Sequence, residues 1–279
     1  MSENMNRNFR ALLEANWEQQ KFLCVGLDPD LDKIPADMRT LGVREGLLSF
    51  NRAVVDATHD VVCSYKPNSA FYEVHGAIGW SVLQETIAYV NERAPHVPVI
   101  LDAKRADIGN TNNGYAAAAF DVLAVDALTV HPYMGGESLK EFFDRTDKGI
   151  FVMCRNSNPG AGEFQDLDVG GEPLYLYLAR AFQEKWNGNG NCGLVVGATY
   201  PEEIKRVRSI VPSMPLLVPG TGAQGGDLAL SVAHAKDARG GGFIISTSRA
   251  IIFASQANDF ETSIRAKTLE FHDAIVKAL

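Results

Sequence analysis

The stretch VPVILD at residues 97–102 is a continuous apolar run, rich in β-branched side chains, that ends in a carboxylate. A run that is apolar at successive positions suits a parallel strand that is covered on both faces. Seven further runs of this kind recur along the chain. They occupy residues 22–27, 61–66, 125–130, 149–154, 192–197, 215–219 and 243–247.

The spacing of these runs predicts the architecture. Their starts are 23 to 43 residues apart, which leaves room for a loop and a helix between consecutive strands. The intervening segments carry helical stripes, such as Leu47, Phe50, Val54 and Ala57 at steps of three and four. Eight such units predict an α/β fold, a closed (β/α)8 TIM barrel that occupies residues 1–279 as a single domain. An open doubly wound sheet is the alternative.

One helix start is marked locally. Thr199 and Glu202 form a T-x-x-E pattern, which is typical of a capping box whose side chains satisfy backbone N–H groups at a helix N-terminus. Pro201 would then occupy the first turn, where its missing N–H does little harm. The sequence therefore predicts a side-chain cap from Thr199.

Composition excludes several classes of protein. Of the 279 residues, 46% are hydrophobic and 22% are charged, so a disordered or fibrous chain is excluded. The 26 basic and 34 acidic residues give a net charge of −8, which speaks against nucleic acid as a partner but permits a local cationic pocket. No apolar segment approaches about 18 residues, and the polar N-terminus has no signal-peptide core, so we expect no membrane partner and a cytoplasmic location. The four cysteines form no C-x-x-C pair and are expected to be buried, reduced thiols.

The densest polar cluster follows the third run, in LDAKRADIGNT at residues 101–111. Asp102 and Lys104 are two residues apart, so a strand would direct both side chains to one face, toward the barrel axis. Asp107 lies past the strand, in the loop. Charges inside a barrel are costly unless they are paired or serve a ligand. The cluster is therefore either a functional site or a buried salt bridge that closes the barrel mouth.

Two other strand ends are charged as well. Lys66 is the last residue of the second run, in VVCSYKPN, and Asp28 comes directly after the first run, in VGLDP. Three neighbouring strands would thus each bring a charge to the C-terminal rim, where barrel enzymes place their chemistry. Independent surface charges at strand ends are the alternative.

A glycine-rich stretch follows the seventh run, and a cationic one follows the eighth. VPGTGAQGGD contains Gly220 and Gly222, which let backbone N–H groups approach a ligand closely. Ser248 and Arg249 open the segment after the eighth run, at a predicted helix N-terminus. Barrels often bind phosphate in these two loops, and arginine can bind two of its oxygens at once. A glycine hinge without a ligand is the alternative.

Other polar features are weaker. A long loop at residues 155–172 follows the fifth run and would lie on the same face. His131 ends the fourth run and could act as a base or ligand, but a rim histidine with a hydrogen-bond partner is the simpler interpretation. No HExxH, H-x-x-x-H or GxSxG pattern occurs, and the other histidines have no partner at metal-ligand spacing, so we expect no metal site.

The motifs taken together resemble a known family. LDAKRADIGNT is similar to the signature of the orotidine 5′-phosphate decarboxylases, and VGLDP, YKPNSAFYE, CRNSNPG and VPGTGAQGGD occur in the order that family uses. The resemblance covers essentially the whole chain and is greatest for the longer-chain, type 2 branch. It implies a carboxy-lyase that converts orotidine 5′-monophosphate (OMP) to UMP and CO₂ in pyrimidine biosynthesis without a cofactor.

The same resemblance implies roles for individual residues. Lys66, Asp102, Lys104 and Asp107 would form a charged tetrad, with Lys104 as the proton donor. Asp107 and Thr111 would reach into the neighbouring subunit's site, which implies an active homodimer.

Substrate-binding residues are implied in the same way. Asp28 and Lys66 would hold the ribose hydroxyls, and Ser157 would contact the pyrimidine. The phosphate would be held by Gln224, Arg249 and backbone N–H groups near Gly220 and Gly222. Ser248 adjoins this group and is a departure, because many members of the family carry glycine before the arginine.

Two other functions stay open at this point. A metal-dependent phosphosugar decarboxylase or aldolase-type synthase shares the D-x-K-x-x-D string, although Lys66 and the lack of another acidic ligand on its strand speak against it. A non-catalytic nucleotide sensor is the second, but it would be expected to have lost a member of the tetrad, and all four are present.

Overall fold

The computed structural model describes residues 7–222, 225–257 and 259–279. Its sheet has eight parallel strands in the order β2-β1-β8-β7-β6-β5-β4-β3. The strands are β1 (Leu23–Gly26), β2 (Ser64–Lys66), β3 (Ile100–Arg105), β4 (Ala127–Val130), β5 (Gly149–Arg155), β6 (Cys192–Val196), β7 (Leu216–Pro219) and β8 (Phe243–Thr247). Isolated parallel bridges from Tyr65 to Val99 and from Asn68 to Asp102 join β2 to β3, so the sheet closes on itself. The predicted single-domain barrel is confirmed, and the open doubly wound sheet is wrong.

Helices alternate with the strands and cover the outside of the barrel. They are α1 (Phe9–Glu18), α2 (Ala36–Thr40), α3 (Gly42–Thr58), α4 (Ala70–Glu73), α5 (Gly76–Arg93), α6 (Gly109–Ala117), α7 (Lys140–Phe143), α8 (Gly162–Gln165), α9 (Leu174–Ala181), α10 (Pro201–Ile210), α11 (Leu228–Ala235), α12 (Arg249–Ile252) and α13 (Phe260–Lys277). The stripe predicted in α3 packs inward, with Leu47, Phe50 and Val54 fully buried. Burial of such stripes against the sheet, at about 25 cal/mol per Å² of apolar surface, is the main force that holds the helices in place.

Most strands lie within or close to their predicted runs, and β8 has its predicted bounds. The exception is β3, which continues to Arg105 and so passes the predicted end at Asp102. The apolar run ends at Asp102, but the alternation that directs Asp102 and Lys104 to one face already requires a strand that continues past the run. The strand continues there because Asp102 and Lys104 find partners at the barrel mouth.

The predicted capping box is wrong. Helix α10 begins at Pro201, as expected for a proline in the first turn, but Tyr200 is its N-cap residue and no side chain caps it. The Thr199 hydroxyl instead donates to the carbonyl oxygen of Ser157 at 3.4 Å. The Thr199 hydroxyl, which the local pattern predicts as the helix cap, therefore makes a tertiary contact with the loop after β5 instead.

All four cysteines are buried and unpaired, as predicted. Burial raises the pKa of the Cys154 and Cys192 thiols to about 12, so both stay protonated at neutral pH. Within the described residues, no helix combines the length and the apolar character that crossing a bilayer requires.

Candidate active site

Three charged side chains meet where β2 and β3 end at the barrel mouth. Lys66 Nζ lies 3.3 Å from Asp102 Oδ2, and Lys104 Nζ lies 2.6 Å from Asp102 Oδ1. The side chains of Lys66 and Asp102 are nearly buried, whereas that of Lys104 is 40% exposed. The structure thus brings together the three charged residues that strand periodicity assigns to the interior. Of the two lysines, Lys104 is the one that remains accessible from the barrel mouth.

Two neutral side chains also bind the Asp102 carboxylate. The Thr129 hydroxyl on β4 donates to Oδ1 at 3.0 Å, and the Asn68 side-chain amide donates to Oδ2 at 3.4 Å. With the two lysines, these donors hold the carboxylate in one orientation. Sequence analysis did not single out either residue. The signal for Thr129 was available, since it is the one hydroxyl in the apolar run of β4.

The charges of the cluster determine one another's ionisation. Burial alone would raise the pKa of Asp102, but the attraction of Lys66 and Lys104 outweighs it and holds the pKa of this carboxyl well below its usual value. Burial alone would lower the pKa of Lys66, but Asp102 and Asp28 outweigh it and the pKa is raised. Asp102 and Lys66 are therefore both charged at neutral pH.

The Asp102→Asn variant should be markedly less stable than wild type. It leaves Lys66, a residue that is only 8% exposed, without the carboxylate that pairs with it, and breaking a buried pair in this way costs about 3 kcal/mol or more. Urea unfolding at pH 7 measures the difference. Asp144→Asn, which breaks the exposed pair with Lys140, is the control and should change stability by less than about 0.5 kcal/mol.

The stability difference between wild type and Asp102→Asn should also depend on pH with a defined sign. The folded-state pKa of Asp102 is lowered, so its stabilisation is present above the unfolded-state value of about 3.9 and is lost as pH falls through the folded-state value. The gap in unfolding free energy should therefore be constant from pH 5 to 7 and shrink below about pH 4. A gap that widens in acid would contradict the assignment.

Asp28 lies just past β1, next to the cluster. Its Oδ1 accepts the backbone N–H of Asn68 at 3.0 Å, and the side chain is nearly buried. Gly26 makes this placement possible, because a Cβ there would lie 2.6 Å from Ser248 Cβ and 2.9 Å from Asp28 Oδ2. Sequence analysis missed Gly26, since a close approach of two chain segments leaves no local pattern.

A cavity of about 340 Å³ extends from the charged cluster to the loops after β7 and β8. Asp28 and Lys66 line it together with Gly220, Gly222 and Arg249. Gly220 has a φ of +104°, in the region that favours glycine. The cavity thus combines carboxylate and ammonium groups with a guanidinium and glycine backbone.

Ser248 also lines this cavity, next to Arg249 at the start of α12. Its hydroxyl is buried and has no hydrogen-bond partner among the residues described. Arg249 is exposed on the cavity wall. Gln224, which the sequence also assigned to this region, lies outside the described residues.

A second cavity of about 240 Å³ adjoins the first, because both include Lys66 and Pro219. Lys104 and Ser157 lie on its polar side. Its other wall is apolar and comes from β5, β6 and β7 through Met153, Val195 and Leu217. This cavity combines the partly exposed Lys104 side chain with an apolar wall.

Arg155, the last residue of β5, anchors the loop that carries Ser157. Its guanidinium is nearly buried and lies 2.7 Å from Glu203 and 3.2 Å from Asp166. Gly197 allows the loop to lie against β6, because a Cβ there would lie 2.7 Å from the Ser157 backbone. Sequence analysis recognised the loop but not these two supports.

Asp107 and Thr111 lie apart from the cluster. Asp107 follows β3, and its Oδ1 accepts the backbone N–H of Ile108 at 2.7 Å. Within the described part of the chain, no ion pair or hydrogen bond joins Asp107 to Lys66, Asp102 or Lys104. Thr111 is exposed in the first turn of α6. Within the described residues, this chain therefore does not join Asp107 to the other three charges of the predicted tetrad.

His131 lies immediately after β4 and is half-buried. Burial and the nearby Lys104 lower its pKa, so the ring is neutral at pH 7. Among the residues that the structure describes, no three His, Cys, Asp or Glu side chains converge as a metal site would require.

The chain is similar to known proteins over nearly its whole length. Residues 21–260 match the family described as "Orotidine 5'-phosphate decarboxylase / HUMPS family". The chain is 48% identical over 269 residues to the orotidine 5′-phosphate decarboxylase of Azoarcus sp., which covers 96% of this chain and 98% of that one. It is 48% identical over 260 residues to the protein of the same name from Herpetosiphon aurantiacus, with 93% of each chain covered.

This chain is also similar to solved structures. The structure of Leishmania donovani OMP decarboxylase matches with a TM-score of 0.85 and 37% identity, over 97% of this chain and 98% of that one. UMP synthase from the same organism matches with a TM-score of 0.87 and 39% identity over 97% of this chain. The match covers 56% of that longer protein, so this chain corresponds to about half of it.

Proposed function

The chain belongs to the orotidine 5′-phosphate decarboxylase / HUMPS family, and from this premise we propose that it converts OMP to UMP and CO₂ without a cofactor, with Lys104 as the proton donor. The enzyme class, a carboxy-lyase of pyrimidine biosynthesis, follows from the family and from the names of its relatives. The observation that carries the mechanism is the Lys66–Asp102–Lys104 cluster, in which the Lys104 side chain is 40% exposed and the other two are nearly buried.

The chemistry requires a positive charge next to the reacting carbon. Breakage of the bond between the ring and its carboxylate releases CO₂ and leaves the electron pair on the ring carbon. The Lys104 ammonium stabilises this pair electrostatically and then transfers a proton to the same carbon, which gives UMP. The neutral amine regains its proton from water. Asp102, 2.6 Å away and ionised at neutral pH, keeps the ammonium in place between turnovers.

The two adjoining cavities suit the two halves of a nucleotide. The apolar wall of the smaller cavity would take the pyrimidine ring, with Ser157 as its polar contact. Asp28 and Lys66 would bind the ribose hydroxyls where the cavities meet. In the larger cavity, the phosphate would bind Arg249, Ser248, Gln224 and backbone N–H groups near Gly220 and Gly222.

The Arg249→Ala variant should bind substrate weakly. A charge-assisted contact between arginine and phosphate is worth about 1.5 to 3 kcal/mol, so KM for OMP should rise by roughly 10- to 100-fold. We also expect a lower kcat, because binding energy from the remote phosphate helps to lower the barrier. Arg44→Ala, which removes an exposed partner of Glu85, is the control and should leave both constants unchanged. A KM within about twofold of wild type would remove Arg249 from the phosphate site.

The proposal includes a homodimer in which Asp107 and Thr111 complete the partner's site. Two features support it. Asp107 makes its hydrogen bonds locally and not to the charged cluster of its own subunit. The loops after β3 and β4 also expose large apolar side chains on the same rim, with Ile108 59%, Met134 49% and Tyr133 94% exposed. An apolar surface of this kind is typical of a protein interface.

We place the enzyme in the cytoplasm. Four buried, unpaired thiols suit a reducing compartment, where disulfides are rare. Immunodetection after cell fractionation would test the location.

The acidic net charge of −8 gives no support for nucleic acid as a partner.

The direct test follows the ultraviolet absorbance of OMP with purified protein and an excess of chelator. Loss of the OMP signal with formation of UMP is the expected result. Absence of turnover at any enzyme concentration would end the proposal. Turnover that appears only with added magnesium would favour a metal-dependent phosphosugar enzyme, and UMP binding without turnover would favour a nucleotide sensor.

A further inference from the structure

One buried hydroxyl connects the backbone of Lys104 to the side chain of Asp102. Thr129 lies in β4, beside β3, and is 1% exposed. Its Oγ1 accepts the backbone N–H of Lys104 at 3.0 Å and donates to Asp102 Oδ1 at 3.0 Å. A hydroxyl has one proton to give and lone pairs to accept with, so the two bonds use it in both directions.

The backbone at Lys104 explains why such a connection is needed. Lys104 has a φ of +46°, in the left-handed region that a residue with a side chain rarely adopts. The register between β3 and β4 also shifts between Leu101 and Arg105, so the ladder is interrupted at this point. A bulge of this kind leaves backbone groups without their usual strand partners. The Thr129 hydroxyl satisfies the Lys104 N–H that the interrupted ladder would otherwise leave without a partner.

The two oxygens of the Asp102 carboxylate have different partners. Among the described residues, the Asp102 carboxylate is held on its Oδ2 side by Lys66 and Asn68, and on its Oδ1 side by Lys104 and Thr129. The Lys104 side chain is long, flexible and 40% exposed. Thr129 is therefore the rigid one of the two groups on Oδ1, and it holds the carboxylate and the Lys104 main chain in a fixed relation.

We propose that Thr129 is a positioning residue for the proton donor, because its hydroxyl holds the Lys104 backbone and the Asp102 carboxylate together so that the Lys104 ammonium points at the reacting carbon. This inference rests on the proposed function. It concerns kcat more than substrate affinity, since the hydroxyl is committed to two protein groups and has no proton left for a ligand. Small displacements of a catalytic group cost large factors in rate.

The test compares Thr129→Val, which keeps the shape and removes the hydroxyl, with Thr129→Ser, which keeps the hydroxyl. For Thr129→Val we expect kcat for OMP to fall by about 100-fold and KM to change by less than about threefold. Thr129→Ser should stay within about fivefold of wild type in both constants. Thr268→Val, which removes another fully buried hydroxyl in the remote helix α13, is the control and should leave both unchanged.

A second measurement reports on the donor itself. In D₂O, an enzyme that protonates the ring carbon should also exchange the corresponding ring proton of UMP for deuterium, and NMR follows that exchange. In Thr129→Val, the rate of deuterium exchange should fall in parallel with kcat. A variant that is only less stable, but still fully folded at the assay temperature, would keep the wild-type exchange rate. If Thr129→Val fails to fold, the pair Thr129→Ala and Thr129→Ser makes the same comparison.

The results of these measurements distinguish a failure of the role of Thr129 from a failure of the proposed function. Wild-type kcat in Thr129→Val, or equal damage in Thr129→Val and Thr129→Ser, would overturn the role of the hydroxyl. An increase in KM without a decrease in kcat would overturn it as well. Absence of OMP turnover in the wild-type enzyme would instead refute the proposed function.

Discussion

Replacement of Lys104 by alanine should lower kcat for OMP by about 10⁴-fold or more while the protein stays folded. In the proposed mechanism, the substitution removes both the charge that stabilises the electron pair on the ring and the proton that neutralises it, and each effect alone is worth about 10² to 10⁴. Stability should change by less than about 1 kcal/mol, because the Lys104 side chain is 40% exposed and Asp102 keeps Lys66, Thr129 and Asn68 as partners. Steady-state kinetics and urea unfolding on the same preparation measure the two quantities.

Two matched variants separate the causes of that loss. Lys140→Ala removes a lysine that is also paired with an aspartate, but on the outer surface in α7, and should keep wild-type kcat. Lys104→Arg keeps a cation at the site but replaces an ammonium with a guanidinium that does not give up its proton at neutral pH. It should remain far below wild type if proton donation is essential. A Lys104→Ala enzyme with more than a tenth of wild-type kcat would contradict the assigned role.

The part of the site that strand periodicity determines was predictable from the sequence. Lys66 and Asp102 each end a continuous apolar run, and the alternation of side chains along a strand is a local rule. Since parallel strands in a barrel all end at one rim, ends that are far apart in sequence must lie close together. The 3.3 Å contact between Lys66 and Asp102 follows from these two facts.

The supports of the site were not predictable, because each depends on two segments that are distant in the chain. Gly26 is required only because Ser248 approaches it, and Gly197 only because the Ser157 backbone does. The left-handed conformation of Lys104 likewise has no local signal, since lysine does not favour it. It persists because Thr129, from the next strand, satisfies the freed N–H. Strain at a functional residue that other segments stabilise is a feature that local propensity misses.

The position of Asp107 leads to the second prediction with a large effect. Within one subunit, this carboxylate is bound to the N–H of Ile108 and is not part of the cluster around Asp102. If it completes the site of the partner subunit, then Lys104→Ala and Asp107→Ala damage different subunits' contributions to one site. Each variant alone should be inactive, but a mixed dimer would contain one site with both wild-type residues and one site with neither.

Equal amounts of the two inactive variants, mixed and allowed to exchange subunits, should therefore regain about a quarter of wild-type activity. Random pairing makes about half of the dimers mixed, and one of the two sites in each mixed dimer is intact. The matched control mixes Lys104→Ala with Asp102→Asn, whose residues are in contact within one subunit, and should regain nothing. Differently tagged subunits show by co-purification that exchange has occurred. Exchange without recovery in the first mixture would assign Asp107 to its own subunit's site, and substantial activity of Asp107→Ala alone would remove it from the catalytic machinery.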